Sequence, residues 1–325
     1  MASKGIRTRS EETNQSCEKE INMEVQGVSS SGKPSSDVDG WPFRKATQSD
    51  STSSQEANER AVVSCNLDPH AVNYDMNHSR RGVAVIFNHS TFKKMNSRKG
   101  STKDCADLKV VLDDLDFQVR IFEDRTVSEV SSILQSLANE DHTDADCLIV
   151  ICMSHGESGV IHAYDSLYPV EMLWTCFSAD HCPTLAGKPK LFFIQACRGT
   201  RLDSGVQLLS QTDGRGNSYS IPTFADILVA FSTYDGFYSW RNPDEGSWFI
   251  QALCEELKEN GRKRDLLTLL TFVNRRVAVE YQSYTPQQES FHAKKQIPSI
   301  MSMLTRILHF PEKSSDATAL RVMDQ

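Results

Sequence analysis

The sequence predicts an α/β fold in which a mostly parallel sheet carries helices on both faces. Two observations lead there. Apolar runs short enough to be buried strands alternate with segments of helical periodicity, in the order strand, helix, strand, helix, strand. Two such runs, 147–153 and 190–195, are about 40 residues apart, enough for a loop, a helix and a return strand parallel to the first.

Residues 1–75 are rich in Ser, Asn, Glu and Lys and poor in aromatics, a composition that cannot bury enough apolar area to offset its chain entropy. The expectation is a disordered leader. Residues 82–88 form the first buried strand, and a polar loop containing Arg98 runs to residue 100. The next segment is a helix capped by Ser101 or Thr102, with an apolar stripe at Cys105, Leu108, Val111, Leu112 and Leu115. Residues 117–122 return as a strand. A second helix opens on a capping box, Thr126 with Glu129, and turns Val130, Ile133, Leu134 and Leu137 inward.

The strand at 147–153, with Cys147 and Cys152 expected in the core, ends on Ser154, His155, Gly156 and Glu157. A small hairpin over 159–164 and a short amphipathic segment over 169–177 precede the strand that delivers Cys197. Residues 200–222 are polar and turn-rich, an exposed loop. A strand at 226–233, helices at 247–258 and 265–281, and a last strand over 300–310 complete the chain.

At 325 residues with 39% hydrophobic content the chain fills a sizeable core in one large domain or two ordinary ones. A formal charge of −8, from 35 Lys and Arg against 43 Asp and Glu, gives no electrostatic reason to expect nucleic acid or an anionic membrane as partner. No apolar run reaches the roughly 18 residues of a membrane span, and the first residues lead into polar sequence, not a signal peptide. Nine cysteines, an odd number with no C-x-x-C pair, fit neither a disulfide framework nor a zinc site. The expectation is a reducing cytoplasm, with no metal and no cofactor.

A cysteine ending an apolar strand is most simply a core residue. Beside Cys197, however, stand Gln195 and Arg198, a polar group and a cation that are costly to bury for packing alone. His155 ends a second run of the same form, and parallel neighbours expose their carboxyl ends on one edge of the sheet, where the two side chains can meet. A thiol with a pKa of about 8.5 is little ionised at neutral pH, so an adjacent base matters.

The run Gln195, Ala196, Cys197, Arg198, Gly199, with a histidine upstream, resembles the signature of the caspases, and further segments extend the resemblance over residues 80–312. It implies a six-stranded sheet and one chain that yields two catalytic subunits, large over 76–213 and small over 214–325, behind a short prodomain over 1–75. By resemblance Cys197 is the nucleophile, His155 the acid–base group, and the amides of Gly156 and Cys197 the oxyanion donors, with the carbonyl of Asn96 orienting the imidazole. The family cuts after Asp. The residues matching its P1 pocket are Arg98, Gln195 and Arg241, in a segment that also holds Ser239. Tyr238, Trp240 and Phe291 match the P2 wall, and Asn242, Trp248 and Tyr284 the P4 region. One departure falls beside P4, where residues 285–290 look longer than the usual loop before Phe291.

A short leader without the helical periodicity of a death-fold domain suggests an effector enzyme, activated by another protease. Asp213, before Gly214 in the exposed loop, matches the processing site, and Asp39 and Asp50 are candidates for leader removal. Implied partners are protein substrates with exposed Asp-containing loops, an upstream initiator caspase, an inhibitor-of-apoptosis protein and a second copy of the chain, paired through the last strand. The function expected is an apoptotic endopeptidase stored as a zymogen. Two alternatives stand beside it: a catalytically inactive homologue that regulates by dimerising, and a related peptidase with another P1 preference. Retention of Cys197, His155 and both arginines argues against the first, and the arginine pair against the second.

Overall fold

Runs whose successive side chains are apolar can be buried on both faces, and such runs build the centre of this sheet. The computed structural model describes residues 70–203 and 222–313. Most of the expected leader, most of the expected loop at 200–222, and Asp39, Asp50 and Asp213 lie outside the described residues.

In chain order the elements are β1 (Val83–Asn88), α1 (Ser101–Asp114), β2 (Gln118–Glu123), α2 (Val127–Ala138) and β3 (Leu148–Met153). Then come β4 (Gly156–Glu157), β5 (Val160–His162), β6 (Leu167–Pro169), β7 (Lys190–Gln195) and β8 (Ile227–Phe231). The last are β9 (Arg241–Asn242), β10 (Gly246–Ser247), α3 (Trp248–Asn260), α4 (Leu266–Glu280) and β11 (Ser299–Ser302). The main sheet has six strands in the order β11-β8-β7-β3-β1-β2. All neighbours are parallel except β11, which runs antiparallel to β8.

The period of two sorts the core. Ala84, Ile86, Ile149, Ile151, Leu191 and Phe193 join the cluster that contains residues of α1, α3 and α4. Val83, Val85, Phe87, Leu148, Val150 and Phe192 join the one that contains residues of α2. Helices on both faces thus follow from central strands, β1, β3, β7 and β8, that are apolar at every internal position. Cys147 and Cys152 are fully buried, as expected of core thiols.

Three local expectations are corrected. Neither Ser101 nor Thr102 caps α1: the N-cap is Gly100 at φ 86, with no side-chain hydrogen bond, and a Cβ there would lie 2.7 Å from the carbonyl oxygen of Asn242. Close passage of the second chain segment therefore outranks a capping hydroxyl. The crossover from β3 to β7 contains no α-helix but the small sheet β4-β5-β6 and 3₁₀ turns at Val170–Leu173, Thr175–Phe177 and Pro183–Leu185. Pro169 precedes the first turn and Pro183 opens the third, which breaks up any longer helix. The last strand is Ser299–Ser302 and not 300–310: Leu308 and Phe310 leave the sheet for the core, and Ile307 bridges to Asn73.

That last segment is stitched to the start of the domain. Tyr74 N donates to Ile307 O (3.0 Å), and its hydroxyl donates to Asp226 (2.7 Å), which also accepts from the Thr305 hydroxyl (2.6 Å). Lys313 Nζ reaches the carbonyls of Met76 (3.1 Å) and His78 (2.6 Å).

Candidate active site

His155 and Cys197 stand two residues past the ends of β3 and β7, whose register sets Met153 against Gln195. The Ser154 amide donates to Gln195 O (3.0 Å), carrying the ladder one residue further, so both side chains leave the same sheet edge. The turn after His155 lies directly on the cysteine: a Cβ on Gly156 would sit 2.9 Å from Cys197 O and 3.0 Å from the Ala196 Cβ. Glycine is what lets those backbones meet.

Burial pushes the Cys197 thiol up, while the Ser239 amide (3.4 Å to Sγ), Arg241 and Arg98 pull it down. The net direction is upward, so the resting group is a thiol that needs a base. His155 Nε2 lies 2.9 Å from Asn96 O. A carbonyl only accepts, so Nε2 carries the proton and Nδ1 is left as the basic nitrogen. Burial lowers the pKa of His155, the Asn96 bond raises it, and Arg98 and Arg241 lower it further. The ring of Phe92 packs on the imidazole with centroids 4.8 Å apart.

Arg98 is 2% exposed and donates through Nη1 to His89 O (3.1 Å), yet its Nε and Nη2 have no hydrogen-bond partner among the described residues. Burial, and then the like charge of Arg241, bring its pKa down to about 9. Arg241 donates through Nε to Lys99 O (2.7 Å), which sets its head beside the same loop. Gln195 donates to the Ser239 hydroxyl (2.8 Å) and keeps a buried Oε1 that has no hydrogen-bond partner among the described residues. Two cations and an amide thus converge near the thiol with hydrogen-bonding capacity to spare, an arrangement suited to a small carboxylate.

The aromatic residues gather as a group. Trp240 stacks on Trp248 (5.6 Å) and meets Phe291 edge-on (6.3 Å), and Phe291 meets Tyr238 (6.2 Å). Trp240, Arg241, Asn242, Trp248 and Tyr284 line one cavity of about 670 Å³. Asn242 is engaged in its own turn, accepting from Asp244 N (2.9 Å) and donating to Glu245 (2.9 Å). Tyr284 is 81% exposed at the rim, edge-on to His292. Arg198 lies over the Phe231 ring (3.9 Å) and pairs with Asp235 (3.5 Å).

Sequence reasoning missed Asp104, fully buried in the first turn of α1. It accepts from Ser247 N (2.9 Å), the Ser247 hydroxyl (2.6 Å) and Gln251 (2.9 Å), tying α1 to the start of α3, and its charge acts on both arginines. Burial raises its pKa against those hydrogen bonds. Its only signal was an acidic residue in a helix's first turn.

The caspase domain family matches residues 81–309. Caspase drICE of Drosophila melanogaster is 51% identical over 252 residues, 76% of this chain and 74% of that protein. Caspase-3 of Bos taurus is 43% identical over 240 residues, 73% of this chain and 87% of that protein. The crystal structure of caspase-1 from Spodoptera frugiperda superimposes with a TM-score of 0.74 at 49% identity, covering 78% of this chain and 99% of that one.

Proposed function

The chain belongs to the caspase family and is an effector-type cysteine endopeptidase, and from that premise we propose that Cys197 and His155 are the pair that cuts protein chains after Asp. The thiol passes its proton to Nδ1 of His155 as sulfur attacks the scissile carbonyl carbon. The oxyanion that forms is held by the amides of Gly156 and Cys197; removing one such donor typically costs about 10²- to 10³-fold in turnover. Collapse breaks the C–N bond, and the imidazolium returns its proton to the departing amine. The neutral imidazole then takes a proton from water as water attacks the thioester; the C–S bond breaks and the imidazolium returns that proton to sulfur, freeing the acid and the thiol. Throughout, the Asn96 carbonyl holds Nε2–H and so keeps Nδ1 as the working nitrogen.

One observation carries the reading: a guanidinium 2% exposed, with two nitrogens unpartnered, beside a second guanidinium. The side chain of a P1 aspartate supplies the missing acceptors, with Arg98, Arg241 and Gln195 as its pocket. A P1 asparagine leaves those cations unpaired, and sites of this kind discriminate by about 10⁴-fold or more. Tyr238, Trp240 and Phe291 wall the P2 position, and Asn242, Trp248 and Tyr284 border P4. The Asn242 turn holds that residue's donor and acceptor in fixed places.

The same premise extends to activation. Cleavage after Asp213 by an upstream initiator caspase divides the chain into a large fragment, 76–213, and a small one, 214–325. Pairs of these dimerise through β11, the outer strand of the sheet, where Met301 is 43% exposed. The setting is the cytoplasm, under control of an inhibitor-of-apoptosis protein. Among the described residues no helix is long and apolar enough to cross a membrane. The deciding experiment is hydrolysis of a fluorogenic Asp-Glu-Val-Asp peptide beside its P1 Asn analogue and the Cys197→Ala variant. Cleavage of the Asp peptide alone, lost in the variant, supports the reading; equal cleavage of both peptides overturns the pocket. An Asp213→Ala chain that still matures normally overturns the processing site.

A further inference from the structure

The loop from His89 to Arg98 brings three groups to the proposed reaction: the Asn96 carbonyl and the Phe92 ring, both on His155, and the Arg98 head. It closes on itself where Arg98 N donates to Ser90 O (2.8 Å). Backbone bonds from His89 N to Met153 O (2.9 Å) and from Lys93 N to Tyr164 O (2.9 Å) tether it to the β3 and β5-β6 regions. At its root a single carboxylate does the rest. Asp124, the residue after β2, accepts from Ser90 N (2.6 Å) and Thr91 N (2.9 Å) on one oxygen, and from the hydroxyls of Thr91 (2.6 Å) and Ser90 (3.1 Å) on the other.

Asp124 holds this grip at φ 49, in the left-handed region that non-glycine residues enter uncommonly and Asp more readily than most. Backbone conformations of this kind persist where surrounding contacts impose them. The amide of Asp124 donates to Asn88 O at the end of β1 (3.0 Å), and the contacts of its carboxylate lead to one loop. Burial alone would raise the Asp124 pKa, but the hydrogen bonds from Thr91 and Ser90 outweigh it and lower it, so the carboxylate stays charged.

We propose that Asp124 is a positioning residue for the acid–base step: by gripping Ser90 and Thr91 it sets the place at which Asn96 and Phe92 meet the His155 imidazole. The inference rests on the reading of His155 as the acid–base group. Asp124 touches neither substrate nor the reacting atoms and acts wholly through the loop.

The test uses the full chain, processed to its active form, with three variants: Asp124→Ala, Asp124→Asn and Thr91→Val. Each is measured for kcat and KM on the Asp-Glu-Val-Asp peptide, for the pH profile of kcat/KM, and for melting temperature. Charge-assisted hydrogen bonds lost at the root lower kcat by about tenfold or more in Asp124→Ala, and by a few-fold in Thr91→Val, which removes one bond from an exposed site. Because the Asn96 bond raises the His155 pKa, loosening it moves the acid limb of the profile to lower pH. A purely structural carboxylate would lower the melting temperature and leave that limb in place. If Asp124→Ala fails to fold, Asp124→Asn and Thr91→Val decide by the same readouts. Unchanged kcat and an unmoved acid limb in folded variants overturn the inference. His155→Ala separates the two levels: if it retains turnover, the underlying reading fails; if it is inactive while the Asp124 variants are fully active, only this inference does.

Discussion

Two arginines reach the same cleft by different routes. Arg98 sits at the closed neck of a loop, 2% exposed, its head bonded to His89 O and otherwise unpartnered. Arg241 rides on β9, two residues long, half-buried, and leans on Lys99 O. One cation is desolvated before any ligand arrives; the other still meets water. The fold thus concentrates its burial on the first arginine and leaves the second half-buried, so that the two cations differ in how far they are preorganised for an anion.

The sharpest test is Arg98→Met, which keeps the stem and removes the charge. We expect kcat/KM for an Asp substrate to fall about 10⁴-fold. Arg98 makes no ion pair among the described residues, so the melting temperature should hold or rise. A loss of stability to match the loss of activity would break the comparison. Arg241→Met, removing a cation that water already reaches, should lower kcat/KM by about 10²- to 10³-fold with little change in melting. Equal losses at the two positions would erase the distinction.

The dryness around Arg98 is also legible in its neighbour. His89 is fully buried, and neither ring nitrogen has a hydrogen-bond partner among the described residues; burial pushes its pKa down to about 4, with Asp124 acting upward and Arg98 downward. The unfolded histidine binds its proton near pH 6.5 and the folded one near 4, so stability is lost as pH falls through that window, by about 3 kcal/mol at most. Urea midpoints between pH 4.5 and 7 should show this slope in the parent and a flatter one in His89→Phe. On the Arg241 side, Asp104→Asn sets an amide against the Ser247 donors. It should cost about 2 kcal/mol in denaturant unfolding and raise KM before kcat.

What the sequence made legible was whatever is local or periodic. The capping box of α2 forms as expected, the Glu129 amide donating to the Thr126 hydroxyl, because its partners are three residues apart. The strands that deliver His155 and Cys197 were legible because a doubly buried strand is apolar along its whole interior, as in residues 191–194 of β7 and all of β3. Asp104 and Asp124 were not. Their partners lie 143 and 33 or more residues away, and an isolated Asp in a first turn or after a strand looks like ordinary surface chemistry. The last strand was overdrawn for a related reason: Leu308 and Phe310 are as apolar as strand residues, but they pack into the core, and nothing local distinguishes those destinations.

The seam between β7 and β8 has a consequence of its own. The expected cut at Asp213 falls between these strands in the chain, yet they pair over five positions from Lys190 with Ile227 to Ile194 with Phe231, and Tyr74 and Lys313 lace the opposite ends of the domain together. A chain cut there can come apart only by tearing the centre of its own sheet. The two halves are then held by kinetics as much as by affinity: dilution cannot separate them faster than the whole molecule unfolds, and an irreversible chemical event leaves an assembly with the lifetime of a single chain.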